Sequence, residues 1–107
     1  MDAIAEKDWK LLRSMKDAKL NLACEQILGS VGSEIINKGN ENHKAYLEVW
    51  KKVQAGDDDI AEMFNDLRRS NAVLKLAAWK RHGLLTQSEL NEFSEETQSA
   101  ILAFAGN

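Results

Sequence analysis

Apolar residues recur along the chain at spacings of three and four, with polar residues filling the positions between them. Leu11, Met15, Ala18 and Leu22 follow one another at steps of four, three and four, so they share one face of a helix. Trp9, Leu12, Leu20, Cys24 and Ile27 widen that face. The spacing predicts a first helix starting near Ala5 or Glu6, with Asp2, Glu6 and Asp8 near the positive end of its dipole. Gly29 and Gly32 interrupt it, each costing roughly 1 kcal/mol relative to alanine inside a helix. Either the helix breaks within residues 29–33, or these small residues let a neighbouring helix come close. Ile35 and Ile36 carry the helical pattern on to Lys38, and Gly39 ends it.

Tyr46, Val49, Trp50 and Val53 form the apolar stripe of a second helix, capped by Asn40 or Asn42 and stopped by Gly56. Trp50 sits in the middle of that stripe and is expected in the core. Asp57, Asp58 and Asp59 then cap a further helix, in which Ile60, Met63, Phe64 and Leu67 stand at i, i+3, i+4 and i+7. Leu67, Asn71, Leu74 and Ala78 keep the same face, which slightly favours one helix continuing to Gly83 but leaves a break at Ser70-Asn71 open. Thr86-Gln87-Ser88-Glu89 is the best-marked helix start: the Thr86 hydroxyl can accept from the Glu89 amide while the Glu89 carboxylate reaches back, a capping box. Leu85 and Leu90 are placed for the accompanying hydrophobic staple. Ser94 offers the cap of a last helix with Ala100, Ile101 and Phe104 on its apolar face. No segment alternates with the period of a strand. The elements imply an all-α protein, a compact single-domain helical bundle of five to seven helices over residues 1–107.

Composition adds to this reading. The 107 residues contain no proline, where average usage would supply about five, which suits long uninterrupted helices. Hydrophobic residues at 44% and charged residues at 29% give the balance of a globular chain. No apolar run approaches the roughly 20 residues of a membrane helix, and Met1–Asp8 lacks the apolar centre of a signal peptide. The single cysteine, Cys24, cannot form an internal disulfide, which places the domain in the cytoplasm.

The net charge of −3 hides a block structure. Residues 57–66 carry five acids and no base, residues 67–83 five bases and no acid, and residues 84–107 four acids and no base. Acids belong at helix starts and bases at helix ends, which accounts for much of it. A sharper reading rests on Asp58, Glu62 and Asp66, four residues apart and so on one helix face. Such a stripe resembles the phosphate spacing of a nucleic-acid strand, and fits a basic groove on a partner that handles nucleic acid.

Catalytic chemistry is poorly supplied. His43 and His82 stand at helix ends beside basic residues, and Cys24 lies on an apolar face where free cysteine packs as a small hydrophobe. The aspartate run lacks the spacing of a calcium loop, no cysteines or histidines have zinc spacing, and the glycines make no phosphate-binding loop. No catalytic residue, metal ligand or cofactor site is assigned, and no enzymatic activity is expected.

Leu85–Leu90 resembles the opening of the first helix in many helix-turn-helix regulators, a resemblance of six residues that reduces to the capping box. Beyond it the pattern fails: no glycine turn follows, and the would-be recognition helix opens with Glu95 and Glu96, which phosphates repel. A second basic face, Arg68, Arg69, Lys75, Lys80 and Arg81 with Trp79, can contact phosphates or snorkel around a buried helix. Tryptophan beside arginine is favoured at interface hot spots, which makes Trp79, Lys80 and Arg81 a candidate contact surface.

The expectation is a small, non-enzymatic cytoplasmic protein that binds another protein through Asp58, Glu62, Asp66, Trp79, Lys80 and Arg81. One setting is a phage or mobile-element accessory protein that blocks a host nucleic-acid-handling complex, as an anti-CRISPR inhibitor does. The alternative is a small DNA-binding regulator with a degenerate helix-turn-helix. Neither a membrane nor a cofactor is an expected partner. Replacing Thr86 with alanine should destabilise the protein by about 0.5–2 kcal/mol through loss of the cap; an unchanged denaturant midpoint would mean that the helix starts elsewhere.

Overall fold

In a computed structural model of the protein, which describes residues Ala3–Gly106, every regular element is helical and no strand occurs among the described residues. Asp2, expected at the first helix dipole, lies outside them. The elements are α1 (Glu6–Ile36), α2 (Asn42–Phe64), a 3-10 turn (Arg69–Asn71), α3 (Ala72–Arg81), α4 (Gln87–Leu90) and α5 (Glu95–Ala105). The all-α reading therefore holds, but the arrangement is elongated. The principal extents are 53 × 25 × 24 Å, and the radius of gyration is 16.4 Å, against about 13 Å for a compact chain of this length.

The length comes from α1 and α2, which pair as an antiparallel hairpin. Gly29 and Gly32 do not break α1, and a methyl group built on either would meet open space. Neither sequence expectation for them holds within the chain. Gly39 closes the hairpin with φ +57°, as its position suggested. Gly56 was expected to stop a helix, yet it lies in the middle of α2. There it is the point of close approach: a Cβ would stand 2.6 Å from Ile27 Cδ1.

The expected continuation from Ile60 to Gly83 does not occur. α2 ends at Phe64, Asn65 is extended, and Asp66 takes a left-handed φ of 56°. The chain folds back because α3 supplies donors for the carbonyls that a helix end leaves without partners. Trp79 Nε1 donates to the Met63 carbonyl at 3.0 Å, and Lys75 Nζ to the Glu62 carbonyl at 2.8 Å. α3 is the centre of a small helical cap over the first half of α1 and the end of α2. Ala72, Val73, Leu76, Ala77, Ala78 and Trp79 are all buried. Gly83, with φ +74°, ends α3, and the Leu84 amide reaches back to the Trp79 carbonyl at 2.9 Å. This is the glycine stop that the sequence marked.

Two polar contacts fasten the cap to α1. Asp8 is fully buried. Its Oδ1 accepts from the Ser94 amide at 3.0 Å, and its Oδ2 from the Ser94 and Thr97 hydroxyls at 2.6 and 2.7 Å. Ser94 in turn caps α5, as expected. Further along α1, buried Lys19 donates to both oxygens of Glu89, at 2.6 and 2.7 Å. Glu89 also closes the capping box with Thr86 at 2.9 and 3.1 Å, so the box that the sequence marked also carries a tertiary contact.

Burial pushes the Asp8 carboxyl up. The Ser94 and Thr97 hydroxyls, the Ser94 amide and the charge of Lys7 outweigh it and hold the group below its usual range. Burial likewise pushes the Glu89 carboxyl up, and the hydrogen bonds from Lys19 and Thr86 with the charge of Lys19 outweigh it, so this group too is lowered. A carboxyl whose folded pKa is depressed stabilises the fold fully above its unfolded value of about 4, and that stabilisation is lost as pH falls through the folded value. Stability should therefore stay level above about pH 5 and fall steeply in more acid solution. Asp8→Asn should lower stability at neutral pH by roughly 1.5–3 kcal/mol and flatten the acid limb. Denaturant titrations across pH check both, and an unaltered acid limb in the variant would remove Asp8 from this role.

Candidate interaction surface

The cap covers one end of the hairpin, and the other end projects as a two-helix arm. Its register follows from the contacts across the seam. Ile27 meets Gly56, and Lys52 Nζ reaches the Ser30 carbonyl at 3.3 Å and the Glu34 carboxylate at 3.2 Å. The α2 side of this seam is the line Ala45, Val49, Lys52 and Gly56, spaced four, three and four.

Each helical residue turns about 100° from the last. In an antiparallel pair, the positions one step after the seam turn to the same side of the hairpin on both helices. On α1 these are Leu28 and Ile35; on α2 they are Tyr46, Trp50 and Val53. The register sets Leu28 level with Val53, and Ile35 level with Tyr46 and Trp50. All five are exposed, at 67% for Leu28, 68% for Tyr46 and 55% for Trp50. Trp50 was expected in the core. Its stripe is amphipathic as read, but no further element of the chain is packed over it, and the correction is a matter of cover, not of periodicity.

The opposite side of the arm is different in character. A groove of about 280 Å³ lies there between the helices, lined by Ala23, Ile27 and Met63 as well as by Lys52, Asp59 and His82, and it runs up to the end of α3. One side of the arm thus carries this mixed groove and abuts the cap, and the other is apolar and open.

The residues singled out from sequence fall apart in space. Trp79 cannot form a contact surface: it is completely buried, packed on Phe64 at 5.4 Å between ring centroids. Lys80 is half-buried beside it, and Arg81 is exposed. The carboxylate stripe loses its third member, because α2 ends before Asp66 and that side chain pairs with Arg68 two residues on. Glu62 accepts from Arg81 at 3.0 Å and stands 3.5 Å from His82 Nε2. The hydrogen bond from Arg81 lowers its pKa, against a smaller effect of burial, and the charges of Arg81 and His82 lower it further. Asp58 and Glu62 both stay exposed on α2, Glu62 paired with Arg81 and Asp58 with no ion pair among the described residues.

The basic face is drawn inward in the same way. Arg69 Nε donates to the Ile4 carbonyl at 2.8 Å, Lys75 to the Glu62 carbonyl, and Arg81 Nη1 to the Phe104 carbonyl at 3.1 Å. Two ion pairs join the acidic block to the basic one, Asp66 with Arg68 and Glu62 with Arg81. Among the described residues no three His, Cys, Asp or Glu side chains come together as a metal site would need, and no helix is long and apolar enough to cross a membrane.

Comparison with known proteins adds no name to this surface: no family model, curated protein or solved structure matches the chain.

Removing the charge at Glu62 should therefore act differently from removing it at Asp58. Glu62→Gln should lower stability at neutral pH by less than about 1 kcal/mol, the scale of partly exposed pairs. Because its folded pKa is depressed, the loss should vanish as pH falls through that value. Asp58→Asn should leave the denaturant midpoint where it was. Equal effects of the two substitutions would mean that the pairing with Arg81 contributes nothing.

Proposed function

We propose that the chain is a non-enzymatic protein-binding module of the cytoplasm and that its working surface is the apolar face of the hairpin arm. The observation that carries this is the concentration of Leu28, Ile35, Tyr46, Trp50 and Val53 on one open side of two helices. From their fractional exposures these side chains offer roughly 600 Å² of surface, at or above the largest apolar patch a soluble monomer ordinarily leaves to water. Tyrosine and tryptophan at the centre of such a patch are the residues that anchor protein interfaces.

An acidic face presented to a basic groove has less support, since Glu62 and Asp66 already have cationic partners within the chain. DNA binding has less support for the converse reason, since Arg68, Arg69, Lys75 and Arg81 are engaged by acceptors of the chain itself.

The test is association in the native cell extract, compared among three tagged chains. Leu28→Glu with Trp50→Glu should abolish capture of the wild-type partner while leaving the helical circular dichroism intact. Asp58→Asn with Glu62→Gln should leave capture unchanged. Capture lost only with the second pair would transfer the function to the carboxylates and overturn the assignment to the apolar face.

A further inference from the structure

We propose that the occupant of the apolar face is a second copy of this chain, packed face to face and head to tail so that the two arms form a four-helix bundle. The proposal rests on the reading of that face as a protein-binding surface and names its partner.

Three observations select a second copy. The first is size. A standard interface buries about 800 Å² on each side, and the five apolar side chains with the rim around them reach that scale. The second is shape. The arm is a layer of two antiparallel helices, and the partner that buries such a layer along its whole length is another two-helix layer of the same length. A second copy supplies one without any further protein.

The third observation is the distribution of charge. Between Leu20 and Asn37 the open side of α1 carries Cys24, Leu28, Val31, Gly32 and Ile35, and that of α2 carries Tyr46, Trp50 and Val53. These apolar positions are uncharged, with Glu25 at their edge beside Cys24 and Leu28, so the stripe itself can meet its own image without like-charge repulsion. The first polar groups beyond the α2 stripe are His43 at one end and Asp57 at the other, each seven residues from Trp50 and both exposed. A two-fold axis beside Trp50 sets each Trp50 against the other, Tyr46 beside Val53 of the second copy, and His43 beside its Asp57. The ends of the stripe are thus complementary to each other only when the two copies run in opposite directions. The groove lies on the other side of each arm and the cap at its far end, so neither obstructs the pairing. The axis also passes near Gly32 of α1, around which the single chain leaves open space. Approach of the second α1 gives that mid-helix glycine a use that nothing within the chain provides.

Sedimentation equilibrium of the purified full chain decides the matter. The wild type should have twice the 12.0 kDa mass of one chain at protein concentrations of about 10–100 µM, as an interface of standard size implies. Trp50→Glu with Leu28→Glu should sediment as a monomer with an unchanged helical spectrum. Gly32→Gln, a better helix residue than the glycine it replaces, should weaken the dimer at least tenfold without loss of thermal stability in the dissociated chain. A dimer unaffected by Trp50→Glu with Leu28→Glu would place the interface elsewhere and overturn the proposal. A wild-type monomer throughout that range would overturn it too. If that monomer still loses its captured partner in extract through the same two substitutions, the protein-binding reading stands with a different occupant. If it loses nothing, that reading fails as well.

Discussion

The carboxylate of Asp8 stands between two helix N-termini, in the first turn of α1 and against the start of α5, and the placement of the cap depends on it. Helix starts present amide donors and a partial positive charge, and α5 has its Ser94 amide and two hydroxyls aimed at this one group. The contact joins residues 86 to 89 positions apart, so it closes nearly the whole chain upon its own beginning. A fully buried carboxylate without such donors would be strongly unfavourable, and the same burial makes the satisfied one specific. With Lys19 and Glu89 as a second tether 11 residues along α1, the cap is held against the first half of that helix and is not free to slide toward the arm.

That placement determines what remains open. About forty residues follow α2, and they form one short central helix, a single turn and a final helix around Trp79. These elements cover the end of the hairpin and leave the arm open. The charge blocks of the sequence serve the same local task. The basic residues after Phe64 turn back onto α2, where Lys75 and Trp79 occupy its terminal carbonyls and Arg81 links Glu62 to the end of α5. What looked like a surface for phosphates or for a basic groove is largely the means by which α2 is terminated.

Local features were legible in the sequence, and tertiary cover was not. Thr86, Ser94, Gly39 and Gly83 were readable because a cap or a left-handed glycine is decided by the few residues around it. Trp50 was misplaced, and Trp79 was left between core and contact surface, for one reason: periodicity shows which residues share a face, but not whether another element lies over that face. Trp50 lies on a clean stripe that nothing of the chain covers. Trp79, at a stripe edge flanked by Lys80 and Arg81, is enclosed because its helix packs on three neighbours. Gly56 was misread because a helix stop and a point of close approach call for the same residue, and only the neighbouring Ile27 separates them.

The arm lacks the third layer that the cap adds at the other end of the hairpin. Beyond the cap it is held by one seam, in which Ile27 against Gly56 and the reach of Lys52 to Ser30 and Glu34 are the contacts of note. Segments with few buried apolar contacts open at lower free energy than the core they extend from. Whatever covers the apolar face adds a second layer to that seam, and a ligand that binds only the ordered arm stabilises it by mass action. Order in the arm and occupancy of its face are therefore linked, while the cap, closed by Asp8 and filled by Trp79, stands independently of both. The fold thus divides into an end closed by its own polar contacts and an arm with one apolar side open.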